Sequence, residues 1–200
     1  MVHIGLRILL VCAVLLSTGA SPTTRKYLQL GLVPQKLDNW CWAASAEMVK
    51  NYLGATPKVQ QCGEVNKQKN LDFCCPVPQD PDKRAQCDQV DFPEFAAPQA
   101  PDFQSRDTSK TSPPILSWTD IKNEIDAKRP FVHMRRDVNG GGHFVVVRGY
   151  GRNQDVRFIR VNDPWPKNQG KVLWQTYDWY SDPALHLSDR YQIEYIGAGE

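Results

Sequence analysis

The sequence predicts an α+β fold, and three observations carry that expectation. Trp42, Ala46, Val49 and Leu53 recur at helical intervals behind a cysteine, and Ser117-Trp118-Thr119-Asp120 has the form of a capping box that opens a second helix. From Phe131 onward the apolar residues fall instead into short β-branched runs separated by turn residues. Helices early and strands late, without a regular βαβ alternation, point to helices packed against a mostly antiparallel sheet.

In chain order, the first segment reads as a secretory signal peptide over residues 1–20. Arg7 supplies the positive charge, Ile8 to Leu16 form the apolar stretch, and Thr18-Gly19-Ala20 resembles a small-residue cleavage site. That apolar stretch is too short to span a bilayer, and no later segment comes closer, so no stable membrane association is expected. The remaining residues, 21–200, are expected to form a single domain of ordinary size. Lys and Arg number 24 against 22 Asp and Glu. A chain so near neutrality offers no electrostatic case for a nucleic-acid partner. There is no internal repeat and no glycine loop suited to phosphate.

Residues 21–34 read as extended, with Tyr27, Leu28, Leu30, Leu32 and Val33 available to pack as a first strand or edge. A helix follows from about 41 to 53, with Asp38 and Asn39 as acceptable caps and Gly54 placed to close it. Eight of the 15 prolines then lie within 76–114, and periodicity disappears. Residues 56–114 are therefore expected to be a surface excursion outside the core, anchored by disulfides. The capping-box helix runs from Ser117 towards Pro130. Strands are predicted over 131–135, 143–150, 156–163, 172–176 and 191–196, with Asn139-Gly140-Gly141-Gly142 as a turn. Trp174, Tyr177, Trp179 and Tyr180 could form a binding wall or core, and core is the expectation, since aromatic residues dominate interiors.

Cysteine arithmetic singles out one residue. Cys12 leaves with the signal peptide, and of the five that remain, Cys62, Cys74, Cys75 and Cys87 cluster within 26 positions while Cys41 stands apart. In an oxidising compartment an odd count implies one free thiol beside two disulfides. Adjacent cysteines rarely pair, which leaves Cys62–Cys74 with Cys75–Cys87, or Cys62–Cys75 with Cys74–Cys87. A four-cysteine zinc site is the alternative, but the repeated spacing such sites use is missing, so no metal and no cofactor is expected.

Free cysteines are usually buried filler, so Cys41 needs company before it counts as a nucleophile. At the first turn of a helix a cysteine meets the partial positive charge that favours the attacking thiolate. Such a nucleophile needs a base and a group to orient that base. His143, preceded by three glycines and followed by a β-branched strand, has a better setting than His133 or His186. In the run ending Ile159-Arg160-Val161-Asn162-Asp163, alternation puts Asp163 on the apolar face with Ile159 and Val161. A carboxylate there needs a partner, and His143 is the natural one. The competing role for Asp163 is simply to cap the Pro164-Trp165 turn.

Gln35, then Asn39-Trp40-Cys41-Trp42-Ala43, then Gly142-His143, then Asp163-Pro164-Trp165, in that order, resemble the papain-like cysteine peptidases. The likeness is strongest over about 30–50 and 115–166, and closest to the compact bacterial secreted or effector type. It implies a papain-like fold in which Cys41 is the nucleophile, His143 the general base and acid, and Asp163 the orienting group. It further implies that Gln35 donates to the oxyanion, that Trp165 shields the Asp163–His143 bond from water, and that Asn162 is a weaker substitute for Asp163. The expected activity is that of an exported thiol protease, a hydrolase acting on protein or peptide substrates through an acyl-thioester. The alternatives are a transamidase or deamidase using the same triad, or a non-catalytic secreted binding protein. Fewer than about 25 residues separate Ala20 from Cys41, too few for the long inhibitory propeptide of eukaryotic relatives. Restraint is then expected from the excursion or from a proteinaceous inhibitor. A monomer in a secreted or periplasmic location completes the expectation.

Overall fold

The structure, a computed structural model, describes residues 22–96, 100–137 and 140–196. The proposed signal peptide and Asn139 of the glycine turn therefore lie outside the described residues. The elements in order are β1 (Thr24–Tyr27), α1 (Cys41–Tyr52), α2 (Gln61–Lys69), α3 (Pro81–Cys87), β2 (Phe103–Asp107), α4 (Trp118–Asp126), β3 (Phe131–Arg136), β4 (Gly142–Asn153), β5 (Val156–Asp163), β6 (Lys171–Thr176), α5 (Tyr177–Ser181) and β7 (His186–Tyr195). The strands form one seven-stranded sheet in the order β2-β7-β3-β4-β5-β6, with β1 paired to the far half of β4. Every ladder is antiparallel. The predicted α+β class is the observed one.

Strand alternation divides the core into two. Val132, Phe144 and Val146 face the helix α1 with Trp40, Trp42, Ala46 and Val49, whereas Phe131, Val145, Val147, Ile159 and Val161 face Ile121 of α4 and Tyr180 of α5. Tyr177 and Trp179 pack against the second cluster, so the predicted aromatic core is present there. Trp174 instead stands edge-on to Tyr27, with ring centres 6.4 Å apart.

The two predicted helices form as their sequences dictate, with one difference. Ser117 and Asp120 make the reciprocal capping box of α4. At the end of α1 the Ala55 N–H reaches back to the Lys50 carbonyl across Gly54, whose φ of +103° is the left-handed conformation this closing motif requires. The start of α1 differs. Trp40 is its N-cap and supplies no side-chain cap, while Asn39 spends its side chain on the Asp88 carbonyl. Cys41 thus begins a helix whose first-turn N–H groups are left without a side-chain acceptor.

Two sequence expectations need correcting. The first strand is fully exposed along its length, and the apolar residues Leu28 and Leu30 are buried only after it ends. Residues 56–114 are not outside the core: they supply α2, α3 and the strand β2, and Val65, Phe95, Ala100 and Phe103 are buried. Prolines break this segment between elements rather than throughout, and α2 was hidden because its sequence shows little apolar periodicity. Between the two open disulfide patterns, the chain adopts Cys62–Cys75 and Cys74–Cys87, and Cys41 is free.

Candidate active site

α1 delivers Cys41, β4 delivers His143 and β5 delivers Asp163 to one cavity of about 560 Å³, which Gln35 and Trp165 also line. The β4–β5 register explains the meeting. Val146 lies opposite Asn162, so Asp163 falls diagonally across from His143 on the same sheet face. His143 Nε2 and Asp163 Oδ1 are 2.7 Å apart. The turn before His143 needs its glycines, because Gly140 and Gly141 have φ near +85° and +88°.

Electrostatics at this ring are strongly one-sided. Burial by itself lowers the affinity of His143 for a proton, but the hydrogen bonds its ring makes to Asp163 and Cys41, with the charges there, outweigh it and raise the pKa to about 9. The ring is therefore cationic at neutral pH. Asp163 Oδ1 also accepts the Trp165 backbone N–H at 2.9 Å, which fixes the carboxylate from a second direction. Both the histidine-partner and turn-capping roles considered for Asp163 are present in one side chain.

The remaining predicted residues are placed unequally. Gln35 is 1% exposed, and its Nε2 donates to the carbonyls of Leu37 and Asp38 at 2.8 and 2.7 Å, while Oε1 has no partner among the described residues. Trp165 touches the Asp163–His143 bond through its backbone, and the residue is 46% exposed and lines the cavity. Asn162 turns away: its Oδ1 accepts from Arg148 Nε at 2.7 Å and its Nδ2 donates to the Leu30 carbonyl at 3.3 Å. It is buried on the opposite sheet face, where it ties the 28–30 segment to β5.

The sequence reading missed how the residues around Cys41 are used. Trp40 Nε1 donates to the Cys87 carbonyl at 2.8 Å and Trp42 Nε1 to the Gln89 carbonyl at 3.0 Å. Asn39 bonds Asp88 twice, through its backbone N–H and its amide. Four hydrogen bonds thus bolt the 87–89 loop beside the cysteine, and Cys74–Cys87 anchors that loop behind. The same loop brings Val90 and Asp91 to the cavity wall. An indole N–H buried in a core demands an acceptor, and that requirement was the available clue.

The other two described histidines form a separate, closed cluster. His133 Nδ1 lies 3.1 Å from Asp189 Oδ1, and the Tyr180 hydroxyl donates to Asp189 Oδ2 at 2.5 Å. His186 places Nδ1 3.0 Å from the Tyr180 carbonyl and Nε2 2.8 Å from the Pro114 carbonyl. Carbonyls only accept, so both ring nitrogens carry protons and His186 is an imidazolium. Burial opposes that charge, and Asp189 with the two carbonyls raises the His186 pKa above its ordinary value. Burial lowers the pKa of His133, which stays neutral and donates to the carboxylate. His133, His186 and Asp189 each offer an atom within 4.8 Å of the others, a spacing a cation could use. The donor set does not fit one, because both lone pairs of His186 are committed to protons.

A mostly antiparallel sheet flanked by helices, with a cysteine, a histidine and an aspartate lining one cavity, is consistent with the papain-like cysteine peptidase class. The chain belongs to the Peptidase_C39 like family, whose model matches residues 27–194. That membership places it among cysteine peptidases, which act on protein or peptide substrates. No curated protein matches the chain.

Proposed function

We propose that this protein is an exported cysteine peptidase in which Cys41 is the nucleophile, His143 the proton carrier and Asp163 the orienting group. The observation that carries the proposal is the 2.7 Å His143–Asp163 bond in a cavity that Cys41 also lines. Attack forms the bond between Cys41 Sγ and the scissile carbonyl carbon, and the displaced electron pair passes to the oxygen. Collapse of that intermediate breaks the carbon–nitrogen bond, and the His143 imidazolium gives its proton to the departing amine. Water then adds to the thioester while His143 takes its proton, the carbon–sulfur bond breaks, and the acid leaves.

The elevated His143 pKa supports this role, since the proton needed by the leaving amine is already on the ring at neutral pH. The Cys41 N–H, at the uncapped start of α1, and the Gln35 amide are the proposed oxyanion donors. Each such donor is worth about 3 kcal/mol. For Gln35 this requires one of its two amide hydrogens to be shared with or released from the Leu37 or Asp38 carbonyl. Its unpartnered buried Oε1 is the kind of uncompensated atom that functional sites retain.

Export is supported by the signal-like sequence of residues 1–20 and by the two disulfides. Among the described residues no helix is long and apolar enough to cross a membrane. The test is digestion of a loosely folded protein such as casein, with products read by mass spectrometry. The wild type is expected to generate new termini and Cys41→Ala none. Cleavage by Cys41→Ala, or conversion of glutamine to glutamate without new termini, would contradict the proposal.

A further inference from the structure

We infer that Gln61 is the positioning residue for Gln35, and that residues 56–114 act on the reaction through it. The inference rests on the oxyanion role proposed for Gln35. Gln61 opens α2 and is 1% exposed, an unusual depth for a long polar side chain in an otherwise polar helix. Its Oε1 accepts the Lys36 N–H at 3.0 Å, and its Nε2 donates to the Pro34 carbonyl at 3.0 Å. One amide group thus grips the backbone on both sides of Gln35.

The grip is itself anchored to the helix of the proposed nucleophile. Glu47 of α1 accepts the Gln61 backbone N–H at 3.1 Å. On the other edge of Gln35, its own N–H bonds the Pro164 carbonyl at 3.1 Å and its carbonyl accepts the Asn168 N–H at 2.9 Å. Gln35 is therefore clamped between the Asp163 loop and Gln61. The residue after Gln61 is Cys62, which Cys75 holds in a disulfide.

Extended β-strand or helix pairing could have satisfied Pro34 and Lys36, yet the chain uses a side chain from 25 or more positions away. The consequence is that the placement of Gln35 is set by α2. Because a displacement of about 1 Å in a catalytic group costs about 10²-fold in rate, loss of this grip is felt at the reaction even though Gln61 does not line the cavity.

The test is the kinetics of p-nitrophenyl acetate hydrolysis, in which breakdown of acetyl-Cys41 needs the oxyanion site, combined with the rate of Cys41 alkylation by iodoacetamide, which does not. Gln61→Ala is expected to lower kcat about 10- to 100-fold with KM changed less than about twofold and Cys41 alkylation unchanged. Gln61→Glu keeps the acceptor for Lys36 and loses the donor to Pro34, and is expected to retain a kcat between those of the wild type and Gln61→Ala. If Gln61→Ala does not fold, Gln61→Glu carries the test by itself, and its full activity would overturn the inference. In a Gln35→Ala background, Gln61→Ala is expected to add almost nothing. Additive losses, or an unchanged kcat in Gln61→Ala beside a lowered one in Gln35→Ala, overturn the role of Gln61. An unchanged kcat in Gln35→Ala overturns the oxyanion role on which it rests.

Discussion

His143–Asp163 and His186–Asp189 both join an imidazolium to a carboxylate, in opposite surroundings. The first pair is 18% and 22% exposed and opens onto a cavity with a thiol; the second is 1% and 0% exposed and enclosed among the described residues. In the closed cluster each hydrogen-bonding direction of His186 ends on a fixed protein acceptor. In the open pair one ring nitrogen is fixed by Asp163, and the ring also feels Cys41. Under the proposed function, the pair with one direction left for a changing partner is the reaction centre, and the pair with none is a structural bolt.

The comparison makes five predictions. His143→Ala is expected to reduce kcat by about 10⁴-fold or more, with little change in melting temperature, because its ring is at the edge of the fold. Asp163→Ala is expected to cost between about 10² and 10⁴ in kcat, since the imidazole keeps its place at the cavity but loses the group that orients and charges it.

Asp189→Ala should act the other way. It leaves the His186 charge, the His133 N–H and the Tyr180 hydroxyl without their common acceptor, and removal of one partner from a buried pair costs about 3–5 kcal/mol. Denaturant unfolding reads that loss, while kcat per folded molecule is expected to stay the same. A stable Asp189→Ala protein with lost activity would erase the distinction between the two pairs.

The pH profiles sharpen the contrast further. The proton on His143 is held up to a pKa of about 9, so kcat/KM is expected to persist through neutrality and fall on an alkaline limb near that value. Asp163→Ala should move the limb to lower pH, because the hydrogen bond that raises the pKa is gone.

The closed cluster instead tunes stability. The raised pKa of His186 contributes stability that is complete below the unfolded value of about 6.5 and is lost as pH rises through the folded value. The lowered pKa of Asp189 contributes stability present above about 3.9 and lost on acidification, and neutral His133 adds to the acid loss. Thermal melts across pH are expected to show a shallower alkaline decline in His186→Gln than in the wild type, the smallest of these effects.

Legibility in the sequence followed the range of the interactions. Cys41 at a helix start, His143 at a strand start and Asp163 on an apolar face could be read because each rests on local periodicity. Their convergence was carried by order along the chain and by strand alternation, and the β4–β5 register then brings His143 and Asp163 together. For Asn162, alternation says which face the residue takes but not what waits there, and Arg148 and the Leu30 carbonyl do.

What could not be read depends on contacts far apart in sequence. The indoles of Trp40 and Trp42 find acceptors 47 positions away, and Gln61 reaches Pro34 and Lys36 across 27 and 25. Helix α2 has four buried residues, two of them polar glutamine and glutamate, so no apolar stripe announces it. Its Glu64 is buried against Lys50 of α1 at 2.6 Å, a pairing no local pattern reveals. The proline-rich stretch around it looked like surface because proline density marks where elements end, not whether elements lie between.

The most direct test of the central claim is a timed alkylation of the folded protein with iodoacetamide at about pH 6, where ordinary thiols are protonated and slow, followed by peptide mapping. The account predicts rapid, selective labelling of Cys41, slowed at least about tenfold by His143→Ala, with the four disulfide cysteines untouched. Labelling of Cys41 only after denaturation, or at the same rate in His143→Ala, would contradict it.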